Sequence, residues 1–420
     1  MPVISSCPPV AASLEPTPAL ARRLVDSGSE TWWAAVNGGL EYWTGALRRG
    51  ATPLDVAGDA SRWWRATTGR RRPEWASPHC VVMESDVVRL RDFSSSTGTM
   101  VPTLVFPPQA GHDSCIVDYS SNQSQLRTMQ AAGLNRLYSL DWVGATEETS
   151  RAGISDYLEF VERAIDDMGA PVNLVGDCQG GWLAAIYAAL HPEQVNTLTL
   201  AGAPIDFHAG EPVIHDYVEL LSPLDLSFYE GVVRLGGGVM KGEFMLGGFI
   251  TIKPENELAK QLQLLANIRD EAHVSRYRAF EDWFKHTQDI PGAFYLWIVE
   301  HLFRDNALIE GTLDVEGQRV NLGDITAPLF LLAGGSDHIT PPPQVFAAER
   351  AVSTPAKDVV KRVTSGGHLG LFMGREGLRD HWPPILAEVC ERSKPSAAKG
   401  SARRRAKAAT PKPKKPIPAP

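Results

Sequence analysis

The sequence is poor in the features that would tie it to an oxidising compartment, a metal or a bilayer. Its five cysteines, Cys7, Cys80, Cys115, Cys178 and Cys390, are odd in number and widely scattered. None forms a Cys-x-x-Cys pair, so neither a zinc site nor a dithiol is expected. His112, His208, His215, His273 and His381 have no ligand spacing either, and metal catalysis is set aside. The first residues, MPVISSCPPVAASLEP, have no basic segment followed by a continuous apolar one, and no later stretch reaches the apolar length of a membrane span. A cytoplasmic protein without a transmembrane segment is expected. At 420 residues and 43% hydrophobic content, the chain has enough apolar material for a large core.

The net charge of -8 hides an asymmetry. Residues 394–420 carry nine Lys or Arg and no acid, which leaves 32 basic against 49 acidic residues, a net of -17, on the remainder. This tail has almost no large apolar side chains and reads as disordered. It is suited either to weak binding of polyanions, nucleic acid or an anionic surface, or to solubilising an acidic body. Residues 1–18, rich in Pro and Ala, read as disordered too. Between them and residue 70, Trp32, Val36, Leu40, Trp43 and Leu47 recur at helical spacing, and Trp33, Trp63 and Trp64 add aromatic surface. This face is expected either to dock on the rest of the chain or to meet a partner.

From residue 71 to 393 strand and helix patterns alternate. Strands are expected at 80–83, 87–90, 103–106, 115–119, 137–142, 172–175, 197–201, 329–333 and 359–363, and helices at 125–133, 155–168 and 182–190. The alternation predicts an α/β fold with a largely parallel sheet covered on both faces. Residues 206–324 break the rhythm with a helical, aromatic insertion that predicts a water-excluding cap.

The chemistry centres on VNLVGDCQGG (172–181): a strand, a tight turn and a helix start, with Cys178 inside Gly-x-Cys-x-Gly-Gly. This is a nucleophile elbow with cysteine in place of serine. The glycines permit a cramped turn, and the helix opening at Gln179 points its free N–H groups at the thiol, so the backbone N–H of Gln179 is the candidate oxyanion donor. Asp337 and His368 each follow a predicted strand, and the order nucleophile, acid, histidine is that of α/β-hydrolases. His338, adjacent to Asp337, reads as a supporting residue, because neighbours in sequence are poorly placed to pair.

With these motifs the stretch from about 137 to 390 resembles the polyhydroxyalkanoate synthases, most closely the shorter two-component type. The resemblance rests on Leu140-Asp141-Trp142, VNLVGDCQGG, ALHPEQV, PIDF, TIKP, the segment FEDWFKHTQDIPGAFYLWIVEHLFRDNALIEG, GQRVNLGDITAPLF, GGSDHITPP and SGGHLGLFMG. It implies an acyltransferase with Cys178 as nucleophile, His368 as general base and Asp337 as its partner. It also implies 3-hydroxyacyl-coenzyme A as substrate rather than any resident cofactor, and a growing polyester stored in granules as product. A partner subunit is a further implication, and the Trp-rich start adds the expectation of a homodimer. Two other functions fit the residues: a thioesterase or intracellular polyester depolymerase of the same fold, and a weakly catalytic granule scaffold that tethers polymer to nucleic acid through its tail. Three departures from the family stand out, one being that the Trp-rich start and the basic tail are not family motifs. Asp177 puts a negative charge beside the nucleophile, which opposes thiolate formation. The stretch 119–124 is shorter than its family counterpart and leaves the second oxyanion donor unassigned.

Overall fold

The computed structural model describes residues 18–95, 100–210, 213–221 and 225–394. The expectations for the Pro/Ala-rich start, below residue 18, and for the basic tail, from 395 on, lie outside the described residues.

Eight strands form one sheet: β1 (Cys80–Glu84), β2 (Val88–Asp92), β3 (Thr103–Phe106), β4 (Leu137–Trp142), β5 (Val172–Asp177), β6 (Val195–Ala201), β7 (Leu329–Gly334) and β8 (Val359–Thr364). Their spatial order is β1-β2-β4-β3-β5-β6-β7-β8. β2 is antiparallel to both neighbours and every other pairing is parallel. The central strands β3, β5 and β7 are buried along their whole length, as their near-continuous apolar runs require when both faces are covered. The edge strand β8 alternates instead and places Lys361 in solvent, which blunts an open edge. This is the α/β-hydrolase sheet.

Helices cover the sheet where the sequence pattern demands them. α3 (Gln125–Ala132) starts at Ser124, whose hydroxyl accepts from Arg127 N, and ends at Gly133 in the left-handed region (φ 106°). α4 (Ile154–Met168) buries Leu158, Val161 and Ile165 on one face. α5 (Gln179–Leu190) is apolar on nearly every side and is buried from Gly180 to Ala189.

One expected strand is corrected. Residues 115–119 are not a strand; Ser114–Asp118 is a short 3-10 helix. Both sides of β4 are already taken, by β2 and β3, so the segment cannot pair beside it. Asp113 caps it through Cys115 N at 3.0 Å, and Asp118 accepts from Ser77 N–H and from the Ser77 and Ser124 hydroxyls. A short apolar run with an acid at each end satisfies a buried turn as well as a strand.

Between β6 and β7 the chain leaves the sheet. The insertion includes α6 (Val213–Leu221), α7 (Ser227–Leu235), α8 (Gly242–Ile252), α9 (Pro254–Ala266), α10 (Glu271–Phe284) and the helix Gly292–Trp297, which continues into a π-helical turn over Ile298–Arg304. Trp283 of α10 donates its indole N–H to Asp113 O at 2.9 Å, tying the insertion to the sheet domain. Upstream, α1 (Pro18–Arg48) and α2 (Pro53–Thr68) form a helical arm. α1 packs on α9 so closely that a Cβ on Gly38 would lie 2.5 Å from Leu262 Cβ. Tyr42 and Ala46, one and two turns further on, are buried. The Trp and Leu stripe read from the sequence lies elsewhere on the helix: its Trp32 and Trp43 remain 58% and 53% exposed, and Trp33 beside it 57%. Buried Asp59 of α2 holds the arm together, pairing with Arg49 in the turn after α1, Arg62 of its own helix and Arg269 from the turn after α9.

Candidate active site

Strand β5 runs into Cys178, which has φ 52° and ψ -122°. A non-glycine residue holds such a conformation only where its surroundings impose it. Here Cys178 N donates to Ala201 O on β6, and Gly181 N donates to Cys178 O, both at 2.9 Å. The flanking glycines answer to close approaches: a Cβ on Gly176 would lie 2.4 Å from Gly181 Cα, and one on Gly180 would lie 2.2 Å from Phe106 O. The elbow is thus wedged between β3 and β6. Gln179 opens α5, where backbone N–H groups lack intrahelical acceptors, and it lines the same cavity as Cys178.

Asp337 and His368 follow β7 and β8, whose ends are adjacent (Gly334 opposite Thr364). His368 Nδ1 lies 2.7 Å from Asp337 Oδ2. The other carboxylate oxygen accepts the N–H groups of Ile339 and Thr340, at 2.9 and 3.0 Å. The Thr340 hydroxyl lies 2.9 Å from Gly202 O and 3.0 Å from Asp337 Oδ2, and so fixes the acid to the end of β6. Gly202 has φ +55°, and a Cβ there would come within 3.2 Å of His368 Cε1 and 2.8 Å of Leu371 Cδ1. The ring therefore rests over a glycine, with Cys178 as a second hydrogen-bonding partner.

Burial disfavours a charged His368, but Cys178 and Asp337 outweigh it and hold the pKa of the ring well above its ordinary value. Burial also opposes ionisation of Asp337, yet His368 and the two backbone N–H groups keep the carboxyl below its usual range. The structure thus brings together the three residues singled out in the sequence. His338, the expected supporting residue, lines the cavity, and burial followed by nearby Lys253 lowers its pKa.

Burial bears on the charge expected on Asp177. Its carboxyl is wholly buried, and desolvation pushes its pKa up to about 8, against the hydrogen bond from Gln125 and the charge of His368. Burial thus favours the neutral acid over a negative charge beside Cys178.

A cavity of about 340 Å³ opens over Cys178 and His368. Its walls are largely apolar, with Phe249 from α8 and Phe280, Trp283 and Phe284 from α10, and Lys253, Glu257 and Lys260 also line it. His112 stacks on Trp283 and Phe284, and burial lowers its pKa, so it faces the cavity as a neutral ring. The loop after β3 supplies Pro108 and Ala110 to the wall, whereas no residue of 119–124 reaches it. Sequence reasoning missed Thr340 and Gly202. Thr340 stood inside the quoted GGSDHITPP motif, but Gly202 gave no signal of its own. Among the described residues no group of three or more His, Cys, Asp or Glu is placed to hold a metal ion.

Comparison with known proteins agrees with the resemblance read from the motifs. A poly(3-hydroxyalkanoate) polymerase subunit PhaC of Haloferax mediterranei is 27% identical over 327 residues, covering 76% of this chain and 64% of that protein. The protein of the same name from Haloarcula marismortui is 28% identical over 287 residues, covering 66% of this chain and 58% of that protein. The alignments thus span less than two thirds of the length of either relative. Among solved structures, the monoacylglycerol lipase of Paleococcus ferrophilus overlays with a TM-score of 0.44 at 14% identity, covering 74% of this chain and 100% of that one. The family model described as a protein of unknown function, DUF3141, matches residues 88–381, most of the sheet domain and its insertion, and the chain belongs to that family.

Proposed function

We propose that the chain is an acyltransferase that moves a 3-hydroxyacyl group from coenzyme A to Cys178 and extends it into a polyester. The observation that carries this reading is a buried Cys178 facing a His368 that is backed by Asp337, at the floor of an apolar cavity covered by an inserted helical segment. In the first half-reaction His368 takes the thiol proton and the sulfur attacks the thioester carbonyl. The oxyanion is met by Gln179 N–H, and coenzyme A leaves as a thiol on regaining the proton from His368. One thioester replaces another, so the acyl group stays activated. In the second half-reaction His368 deprotonates a 3-hydroxyl, which attacks the acyl-Cys178; an ester forms and the thiol is restored. Water competes for the same acyl-enzyme, and the apolar walls of the cavity act against it. The PhaC relatives support the substrate class through their names. The acyl-coenzyme A is a substrate; no resident cofactor enters the scheme. We place the activity in the cytoplasm, at the surface of the polymer it makes.

The test is incubation with 3-hydroxybutyryl-coenzyme A, following free thiol and the product. Polymer together with thiol release is expected. Free hydroxy acid alone would replace this reading with a thioesterase. Cys178→Ala and His368→Ala should each lower the rate by roughly 10⁴-fold or more, and Asp337→Ala somewhat less, with unchanged circular dichroism. Retained turnover in Cys178→Ala would end the assignment.

A further inference from the structure

The residue before the nucleophile, Asp177, ends β5 with its side chain fully buried, and Gln125, the first residue of α3, is equally buried. Gln125 Nε2 donates to Asp177 Oδ1 at 3.1 Å. Each side chain then has one oxygen left, Asp177 Oδ2 and Gln125 Oε1, and neither has a hydrogen-bond partner. Two unpaired buried acceptors on a carboxylate and the amide already bonded to it would be costly. A single proton on Oδ2 removes both faults, because a carboxylic acid and a primary amide are complementary edge to edge: the amide N–H donates to the acid carbonyl and the acid O–H donates to the amide carbonyl.

We propose that Asp177 is a positioning residue that works as a neutral acid, joined to Gln125 by two reciprocal hydrogen bonds, and that this pair couples α3 to the nucleophile elbow while keeping negative charge away from Cys178. The raised pKa of Asp177 supports the same protonation state. The charged or titratable groups in play are few: Gln125 is the uncharged partner, His368 acts on the carboxyl from beyond β8, and Cys178 is next in the chain. The pair also ties the elbow to the hub at Asp118, since Ser124, which precedes Gln125, gives its hydroxyl to Asp118 Oδ1 at 2.6 Å. The consequence for Cys178 rests on its role as nucleophile, whereas the pair itself does not.

Reversible urea unfolding of the full chain and of Asp177→Asn, from pH 5 to pH 9, tests the pair. Asparagine presents the same donor and acceptor to Gln125 but does not titrate. A carboxyl whose pKa rises on folding gives its full stabilisation below the unfolded value, near 3.8, and loses it as pH rises to the folded value, about 8. The unfolding constant of the wild type relative to Asp177→Asn should therefore climb about tenfold per pH unit between pH 5 and 8 and level off above. Gln125→Glu, which replaces the amide by a second acid, should steepen that climb. In parallel, the transfer rate of the wild type should fall above about pH 8 relative to its own value at pH 7, and that of Asp177→Asn should not. A stability ratio that stays flat from pH 5 to 8, an Asp177→Asn that does not fold at pH 5, or equal alkaline declines in the two proteins would each overturn the proposal. If Cys178 transfers no acyl group, the stability slope still stands, so the two failures are read separately.

Discussion

The strand ends around Cys178 and the N-terminal arm are both dense in notable residues, yet they are built on opposite terms. At the strand ends Asp337 and His368 are held from several sides. Asp337 has four hydrogen-bonding contacts from three residues, and His368 is fixed between Asp337, Cys178 and the Gly202 backbone. In the arm, most of the residues conspicuous in sequence, Trp32, Trp33, Trp43 and Trp64, stand largely in solvent, and docking is done by Gly38, Tyr42, Ala46, Trp63 and the buried Asp59. Conspicuous side chains mark function where the backbone around them is over-determined. In the arm they mark surface.

The sharpest way to break this contrast is to disturb the over-determined end by one small group. Gly202→Val adds a branched side chain at a positive φ and within reach of the His368 ring. The ring must move, and a displacement near 1 Å costs on the order of 100-fold in rate. The check is transfer rate beside thermal melting. A variant that folds and turns over like the wild type would detach the His368 position from the reaction.

A smaller effect is expected from the arm. Asp59 is fully buried, but Arg49, Arg62 and Arg269 are each 30–50% exposed, so water screens much of what they gain from it. Asp59→Ala should cost about 1–3 kcal/mol, less than for a pair with both members buried, and it should act locally. Hydrogen exchange should show α1 and α2 opening while the sheet strands keep their protection. Uniform loss of protection across the sheet would mean that arm and sheet domain unfold as one unit.

The difference between the regions also explains how much could be read from sequence alone. The elbow, the acid and the histidine are legible because each is announced locally, by glycines about a turn or by a strand running into a polar loop. The sheet is legible for the same reason: runs such as Leu329–Gly334 have room for little else. The segment 115–119 was misread because a short apolar run fits a buried turn equally well, and only the occupied edges of β4 decide between them. The charge state of Asp177 is not legible in sequence because it depends on Gln125, 52 residues away, and on burial that no local pattern reports. Thr340 and Gly202 are opaque in the same way, since their contact spans 138 residues.

The smallest effect should come from the most visible residues. Replacing Trp32, Trp33 and Trp43 together by Ser removes apolar area that the folded chain leaves mostly in water, so each substitution should change stability by no more than about 0.5 kcal/mol. An aromatic stripe of this kind on a docked helix is nonetheless suited to a second copy or a partner subunit. Light scattering separates these possibilities: a wild-type dimer that becomes a monomer in the triple variant, with unchanged melting of the sheet domain, would assign the stripe to assembly. Equal mass and equal activity in both proteins would leave the arm as a clamp on α9 through Gly38 and Asp59, with its tryptophans dispensable.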